Sequence, residues 1–312
     1  KKDASLEDAG REEFRKLEAG DPENRRLWQW FYKESFVAFN KIYRLLNVSF
    51  TVTIGESFFE KDLEPTIADL LSRGIATQSQ GGIIVSLDSE KLPPALIRKS
   101  DGASLYLTRD IPNLAYRIEK YHPAKILYVV GNEQALHFEQ LFAIARKMQL
   151  PLPEVTHVKH GLILGEDSKK LKTRGGAAIL LEDVLAQSIE RAAKVVGEKR
   201  PDLLVAERKK IAHAVGIAAL KYNDLSQNRQ SDIAFDWDKM LNFEGNSAPY
   251  LMYTYARLKS ILRKAKIGRL DVAVLGKPEL DLVFALSRFP DVVLGASQDY
   301  FPNHLADYLY QL

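Results

Sequence analysis

Apolar positions along the chain follow two periods, which divide it into a region of mixed secondary structure and a region of helices. In the first 46 residues the apolar side chains lie three or four positions apart, which predicts helices at 5–20 and 22–46. Apolar runs at 50–54 and 82–87 predict short strands, and residues 60–71 predict a helix between them. The first part of the chain is therefore expected to mix helices with strands.

The middle of the chain alternates strand and helix patterns. In chain order it predicts a strand-containing stretch at 96–108 with a turn at 100–102, a helix at 110–121, a strand at 126–130, a helix at 133–148 and a strand at 157–164. This β-α-β-α-β order is typical of a parallel, doubly wound sheet, which places ligands beyond the carboxyl ends of its strands. After Gly176 only helical patterns follow, so we predict an α/β fold followed by an all-α helical bundle.

Composition narrows the class of protein. The 312 residues, 46% of them hydrophobic, are enough for two domains, and we place their boundary between residues 245 and 246. A net charge of +3 means that nucleic-acid binding would need local basic patches. The absence of cysteine excludes disulfides and cysteine-based zinc sites. Neither a membrane-spanning run nor a secretory signal is found in the sequence, so we expect a cytoplasmic protein with no membrane partner.

Asp110 and Tyr106 are the first candidates for chemistry. On the predicted strand they would share one face, because side chains alternate along a strand. Asp110 precedes Ile-Pro, which is typical of a helix N-cap, and a strand tyrosine such as Tyr106 is more commonly a core residue. The functional alternative is a carboxylate that pairs with a guanidinium beside an aromatic wall.

A second group lies on the helix that follows the strand at 126–130. Gln134, His137 and Gln140 share one helical face at a spacing of three residues. Such a trio is commonly the solvated side of an amphipathic helix. Its position just after a strand end also favours hydrogen bonds to a ligand at that edge of the sheet.

Two basic segments complete the set of candidates. The loop at 165–176 is rich in lysine and flanked by glycine, so it is either a solvated charge run or a clamp for phosphates. On the helix at 247–266, Tyr250, Tyr253 and Arg257 form either a packed aromatic seam or a surface that stacks on unpaired RNA bases.

In this order, the segments resemble arginyl-tRNA synthetase, a class I aminoacyl-tRNA synthetase, and the resemblance covers nearly the whole chain. It rests on the motifs above and on four further segments, at 55–57, 236–241, 243–246 and 249–257. The family implies a Rossmann-type catalytic domain, here its second half, followed by a helical anticodon-binding domain.

The resemblance also implies roles for individual residues. The residues expected to contact arginine are Tyr106, Asp110 and Gln134. Those expected near ATP are His137 and Gln140 at the ribose, and Gly161, Leu162 and Ile163 at the adenine through backbone groups. Those expected to replace the family's KMSKS loop in catalysis are Lys170, Lys172 and Arg174. Those expected to touch the tRNA are Tyr250, Tyr253 and Arg257.

By this resemblance the reaction is ligation of arginine to its cognate tRNA through arginyl-adenylate. ATP would enter with Mg²⁺ as a substrate, and we expect neither a tightly bound cofactor nor a protein metal site. The HIGH signature, the N-terminal half of the nucleotide fold and the end of the anticodon-binding domain have no counterpart here. We therefore expect an internal fragment that is inactive alone. The alternatives are a non-catalytic synthetase-like protein that binds tRNA or another partner, and an enzyme of the same class for lysine.

Overall fold

A computed structural model describes residues 4–165, 180–242, 244–265 and 276–312, which form a helix-rich α/β structure. The helices are α1 (Ala4–Glu18), α2 (Pro22–Leu45), α3 (Leu63–Ser72), α4 (Tyr106–Tyr121), α5 (Ala135–Lys147), α6 (Leu181–Lys199), α7 (Val205–Leu225), α8 (Trp237–Met240), α9 (Ala248–Lys264), α10 (Lys277–Ser287), α11 (Phe289–Asp299) and α12 (Asn303–Gln311). The strands are β1 (Thr77–Ser79), β2 (Gly82–Val85), β3 (Ala95–Arg98), β4 (Lys125–Gly131), β5 (Glu154–His160), β6 (Ile163–Leu164) and β7 (Ile233–Ala234). Short 3₁₀ turns occupy Glu56–Asp62, Asp88–Glu90 and Asn132–Gln134.

The described chain forms two compact units. One contains the residues up to Thr51 together with Leu180–Ile217, and the other begins at Val52 and resumes at Ala218. The predicted domain boundary at 245/246 lies within the second unit and stays a prediction.

Close helix packing organises the first unit. A Cβ atom at Gly216 of α7 would lie 2.8 Å from the Cα of Ile189 on α6, so glycine allows the two helices to approach closely. The buried Ser188 hydroxyl donates a 2.9 Å hydrogen bond to the carbonyl of Gly216 at the same point. On the surface, Lys41 of α2 forms an ion pair with Glu182 of α6.

The second unit contains the strands. β4 and β5 are parallel and paired from Lys125–Glu154 to Gly131–His160, with α5 as their crossover. β6 and β7 also pair in parallel, whereas β1, β2 and β3 form an antiparallel sheet. The parallel strands confirm the predicted α/β class. The prediction that the strand before α4 belongs to the parallel sheet is wrong, because β3 pairs with β2 instead.

One hydrophobic core joins the antiparallel sheet to α3, α4 and α5. Helix α4 contributes residues at the spacing of one helical face: Leu107, Ile111, Leu114 and Ile118. Helix α5 contributes Phe138, Leu141, Ala143, Ile144 and Ala145. This packing fixes α4, which carries Tyr106 and Asp110, and α5, which carries His137 and Gln140.

Two further expectations are wrong. Residues 50–54 are described but irregular: the ring of Phe50 packs edge-on against Tyr43 at 4.8 Å and joins no ladder. Asp110 is not an N-cap, because α4 begins four residues earlier, at Tyr106. The buried Thr108 hydroxyl accepts a 3.2 Å bond from the Leu105 N–H and donates to the carbonyl of Ile97, which anchors this early start.

Candidate functional site

Tyr106 and Asp110 lie one turn apart at the beginning of α4. They share a side of the molecule because i and i+4 positions are neighbours on a helix, rather than through the alternation of a strand. Their environments differ: Tyr106 is 70% exposed, whereas the side chain of Asp110 is 26% exposed. Core residues on the opposite face of α4 fix the helix, so Asp110 is held at the rim of the core.

The end of β4 carries the second group. The strand ends at Gly131, a 3₁₀ turn follows through Gln134, and α5 begins at Ala135. Gln134 is exposed, and His137 is 19% exposed in its side chain. The structure therefore places both residues beyond the carboxyl end of a parallel strand, where α/β sheets bind ligands.

Asp110 and His137 meet directly. The Nε2 atom of His137 lies 2.7 Å from Oδ2 of Asp110. An ionised carboxylate can only accept, so Nε2 carries the proton in this bond. Sequence reasoning selected both residues but gave them different ligands, arginine and the ATP ribose.

Gln140 holds the chain that leads into β3. Its Nε2 atom donates to the carbonyl of Pro93 at 3.0 Å and to that of Pro94 at 3.4 Å. In this structure the amide nitrogen therefore ties α5 to the antiparallel sheet. The role of Gln140 at the ATP ribose stays a prediction.

The segment Gly161–Ile163 is fixed by a distant loop. The N–H of Gly161 donates to the carbonyl of Arg229 at 2.7 Å, and the N–H of Leu162 donates to Oδ1 of Asp232 at 2.8 Å. The Leu162 carbonyl accepts from the N–H of Ile233 at 2.8 Å. Each N–H has one proton to donate, so an adenine at this segment would need other backbone groups than these two donors.

Glycine at position 161 allows this segment to approach the backbone of Ser231 and Asp232 closely. A Cβ atom there would lie 2.3 Å from the carbonyl oxygen of Ser231 and 2.7 Å from the nitrogen of Asp232. Because both atoms belong to the backbone, no side-chain rotation could relieve the overlap.

Arg229 anchors the distant loop. Its guanidinium donates to the carbonyl of Tyr300 at 2.6 Å, to that of Asp299 at 3.2 Å and to that of Lys159, and it lies 4.5 Å from the ring of Phe301. Burial lowers the pKa of Arg229. Sequence reasoning missed Arg229 and Asp232, because a polar loop before a two-residue strand carries no periodic signal.

His157 lies on β5 beside the end of β4. Its Nε2 atom is 3.0 Å from the carbonyl of Val130, while its buried Nδ1 atom has no protein partner within the described residues. Burial lowers the pKa of His157, so the neutral imidazole is favoured.

The three tRNA candidates on α9 differ in exposure. Tyr250 is half-buried, and its ring meets Tyr310 edge-on at 5.6 Å, so it belongs to an aromatic seam. Tyr253 is 56% exposed, and Arg257 is also exposed one turn later. These two side chains offer an open aromatic and cationic surface.

The remaining predictions concern the lysine-rich loop, metal binding and membranes. Lys170, Lys172 and Arg174, with the loop from residue 166 onward, lie outside the described residues. Across the described ranges, His, Asp and Glu side chains nowhere form a group of three that could hold a metal ion. Of the helices that the structure describes, none is both long and apolar enough to cross a bilayer.

Comparison with known families gives two matches. A model described as tRNA synthetases class I (R), catalytic domain, matches residues 1–237. A second model, the DALR anticodon binding domain, matches residues 251–312.

Similar proteins and structures agree with these matches. An arginine–tRNA ligase of Fusobacterium nucleatum is 42% identical over 318 residues, covering 100% of this chain and 56% of that protein. One of Levilactobacillus brevis is 43% identical over 313 residues, covering 98% of this chain and 55% of that protein. The chain thus spans about half the length of the curated relatives it matches.

Solved structures show the same fold. The arginyl-tRNA synthetase of Plasmodium falciparum matches with a TM-score of 0.84 and 25% identity, over 99% of this chain and 54% of that one. The Thermus thermophilus enzyme matches with a TM-score of 0.74 over 95% of this chain and 59% of that one; its 21% identity supports the fold alone. The predicted family is confirmed: the chain belongs to the arginyl-tRNA synthetases of class I.

Proposed function

We propose that this chain takes part in the ATP-dependent ligation of arginine to its cognate tRNA in the cytoplasm. The arginine carboxylate attacks the α-phosphate of ATP, which forms arginyl-adenylate and releases pyrophosphate. The arginyl group then passes to the terminal ribose of the tRNA. ATP enters with Mg²⁺ as a substrate, and catalysis consists mainly of positioning and charge stabilisation.

One observation carries the proposal: in a chain of this family, the partly buried carboxylate of Asp110 contacts His137, which lies just beyond the end of the parallel strand β4. Its partial burial would strengthen an interaction with a guanidinium, and we assign the exposed Tyr106 and Gln134 to further contacts with the arginine substrate. We assign Lys170, Lys172 and Arg174 to the phosphates, and the open pair Tyr253 and Arg257 to the tRNA. Residues 246–312 would form the anticodon-binding part.

The test is arginine-dependent ATP–pyrophosphate exchange and tRNA arginylation by the complete gene product. Asp110→Asn keeps the size of the side chain but removes its charge. Hydrogen bonds to charged groups contribute about 1.5–3 kcal/mol, so the KM for arginine should rise about 10- to 150-fold. The KM for ATP should change little.

The matched control is Asp101→Asn. Asp101 is an exposed carboxylate in the turn before α4, where it accepts from the N–H of Ala103 at 3.0 Å. Its substitution should leave both KM values unchanged. Equal losses for arginine and ATP in Asp110→Asn would remove Asp110 from the arginine site. Tightly bound tRNA without exchange for any amino acid would favour a non-catalytic protein.

We also propose that the 312-residue chain is inactive alone, because the resemblance assigns it only part of the nucleotide site. Purified chain should give neither exchange nor arginylation at concentrations where the complete gene product gives both. Measurable arginylation by the purified chain would contradict this part of the proposal.

A further inference from the structure

The contact between Asp110 and His137 is a feature that binding of arginine alone does not explain. We propose that His137 is a positioning residue, which orients the Asp110 carboxylate toward the guanidinium of the substrate while leaving its negative charge intact. The inference rests on the proposed function, because it takes Asp110 as the acceptor for arginine.

The geometry is that of a strong, shielded hydrogen bond. The two atoms are 2.7 Å apart, and the side chains are 19% and 26% exposed. A bond of this length to an ionised partner is among the stronger hydrogen bonds in proteins, and partial burial limits competition from water. The carboxylate is therefore held in one orientation before any ligand arrives.

The two partners are held by different helices on one core. Asp110 precedes the buried Ile111 on α4, and His137 precedes the buried Phe138 on α5. The ring of Phe138 meets the imidazole edge-on with centroids 5.1 Å apart. The bond thus fixes one carboxylate oxygen relative to the end of β4, after which the proposed arginine contact Gln134 follows.

A carboxylate has enough acceptor positions for both partners. Its two oxygens offer about four lone-pair positions, so a bond from Nε2 to Oδ2 leaves room for a forked guanidinium. Fixing the carboxylate beforehand removes part of the ordering cost of binding.

The charge of the side chain at residue 137 distinguishes a positioning role from a purely structural contact between the two helices. A neutral N–H donor orients a carboxylate without cancelling its charge. A lysine at residue 137 could make the same tie as an ion pair, but its ammonium would compete with the guanidinium and repel it. Lysine at residue 137 should therefore preserve the contact between the helices but weaken arginine binding.

Three variants of the complete gene product exploit this difference. His137→Gln supplies a neutral N–H donor, His137→Phe removes the donor, and His137→Lys supplies a charged one. Loss of one hydrogen bond to a charged group corresponds to about tenfold, so His137→Phe should raise the KM for arginine about tenfold. His137→Gln should stay within about threefold of the parent, and His137→Lys should exceed His137→Phe, with the KM for ATP unchanged in all three.

The control variant is His157→Gln. His157 is another partly buried histidine of this strand pair, but its Nε2 atom faces the carbonyl of Val130. Its ring also packs against Phe138, with centroids 4.6 Å apart, so this variant tests whether any change beside Phe138 affects the site. It should leave the KM for arginine within about twofold. A separate readout is nitrogen NMR of ¹⁵N-histidine-labelled protein at about pH 8, where an ordinary imidazole is neutral. The ring of residue 137 should carry its proton on Nε2, and Asp110→Asn should weaken that preference.

Two results would overturn the inference. The first is a KM for arginine that His137→Lys preserves while His137→Phe raises it, since the contact would then be a structural tie. The second is a larger rise in the KM for ATP than for arginine, which would instead support the predicted role of His137 at the ATP ribose. If Asp110→Asn itself leaves the KM for arginine unchanged, the proposed arginine site fails, whatever the His137 variants show.

Discussion

The two ends of the candidate site, the proposed arginine end and the predicted adenine end, are built differently. At the arginine end, Asp110 and His137 are side chains on two long helices that share a core. At the adenine end, Gly161 and Leu162 are held through backbone groups by a loop about 70 residues further along. The first end can be altered one chemical group at a time, whereas the second depends on whether two backbones fit together.

This contrast implies different responses to substitution. Changes at the arginine end should alter one binding constant and leave the fold intact. Changes at the adenine end should act first on the stability of the β6–β7 pair and only then on the nucleotide. Asp110→Asn, described above, tests the arginine end. Three further substitutions test the stability of the rest of the site, with effects that decrease from the first to the last.

Gly161→Ala should have the largest effect. The new methyl group would overlap the backbone of Ser231 at 2.3 Å, so β6 and β7 would have to separate. We expect a loss of about 3 kcal/mol or more in the free energy of unfolding, at the upper end of overpacking effects. Urea unfolding of the two proteins measures it.

Gly55→Ala is the matched control for that experiment. A Cβ atom at Gly55 would meet only the hydroxyl of Ser57 at 4.0 Å, and its φ of −90° suits any residue. It should change stability by less than about 0.5 kcal/mol. Equal stability of Gly161→Ala and Gly55→Ala would show that the adenine end tolerates movement of its backbone.

Arg229→Lys should have an intermediate effect. Lysine keeps the charge but cannot reach the carbonyls of Lys159, Asp299 and Tyr300 with one fork. A loss of about 1–2 kcal/mol is expected, with faster proteolysis at α11 and α12. Arg146→Lys is the control, because its 3.3 Å pair with Glu90 is largely exposed and should contribute less than about 0.5 kcal/mol. Similar losses in both variants would argue against a special role for Arg229.

His157 should give the smallest effect, seen only as a dependence on pH. Its pKa in the folded protein lies below the unfolded value of about 6.5, so the unfolded state takes up the proton first as the pH falls. Its contribution is fully present above about pH 6.5 and declines toward the lower folded-state pKa. The decline should stay below about 1 kcal/mol, because solvent screens a partly exposed group.

His157→Gln should flatten this decline in unfolding free energy between about pH 8 and pH 5.5. His213→Gln, at an exposed position of α7, should leave the parent's pH dependence in place. A decline that is the same in all three proteins would assign it to groups other than His157.

The same contrast explains how much the sequence could predict. Apolar spacing located α2, α5 and the helices after residue 180 because local periodicity determines such elements. The predicted start of α4 is wrong. Aromatic and β-branched residues at 106–108 favour a strand, whereas in the fold the Thr108 hydroxyl is hydrogen-bonded to the carbonyl of Ile97 and to the Leu105 N–H. Residue types selected Asp110 and His137, but their direct contact depends on helix packing.

The contacts of the adenine end could not be predicted from the sequence, for a physical reason. The β6–β7 pair joins Ile163 to Ile233 across a gap that no local pattern spans, and each strand has two residues. The close approach at Gly161 depends on the path of the Ser231 backbone. A sequence shows that glycine is present but not which atoms come near it.

The long-range pairing also affects how the protein emerges from the ribosome. Leu162 and Asp232 are 70 residues apart, and Arg229 and Tyr300 are 71 apart. At about 5–20 residues per second, each interval corresponds to on the order of 4–14 s of translation. During the first interval β6 has no partner strand, and during the second the guanidinium lacks two of its acceptors. The arginine end should therefore form first in nascent chains. The β6–β7 pair of the adenine end can form only after Ile233 has been synthesised, and Arg229 gains its last acceptor only after Tyr300 has been synthesised.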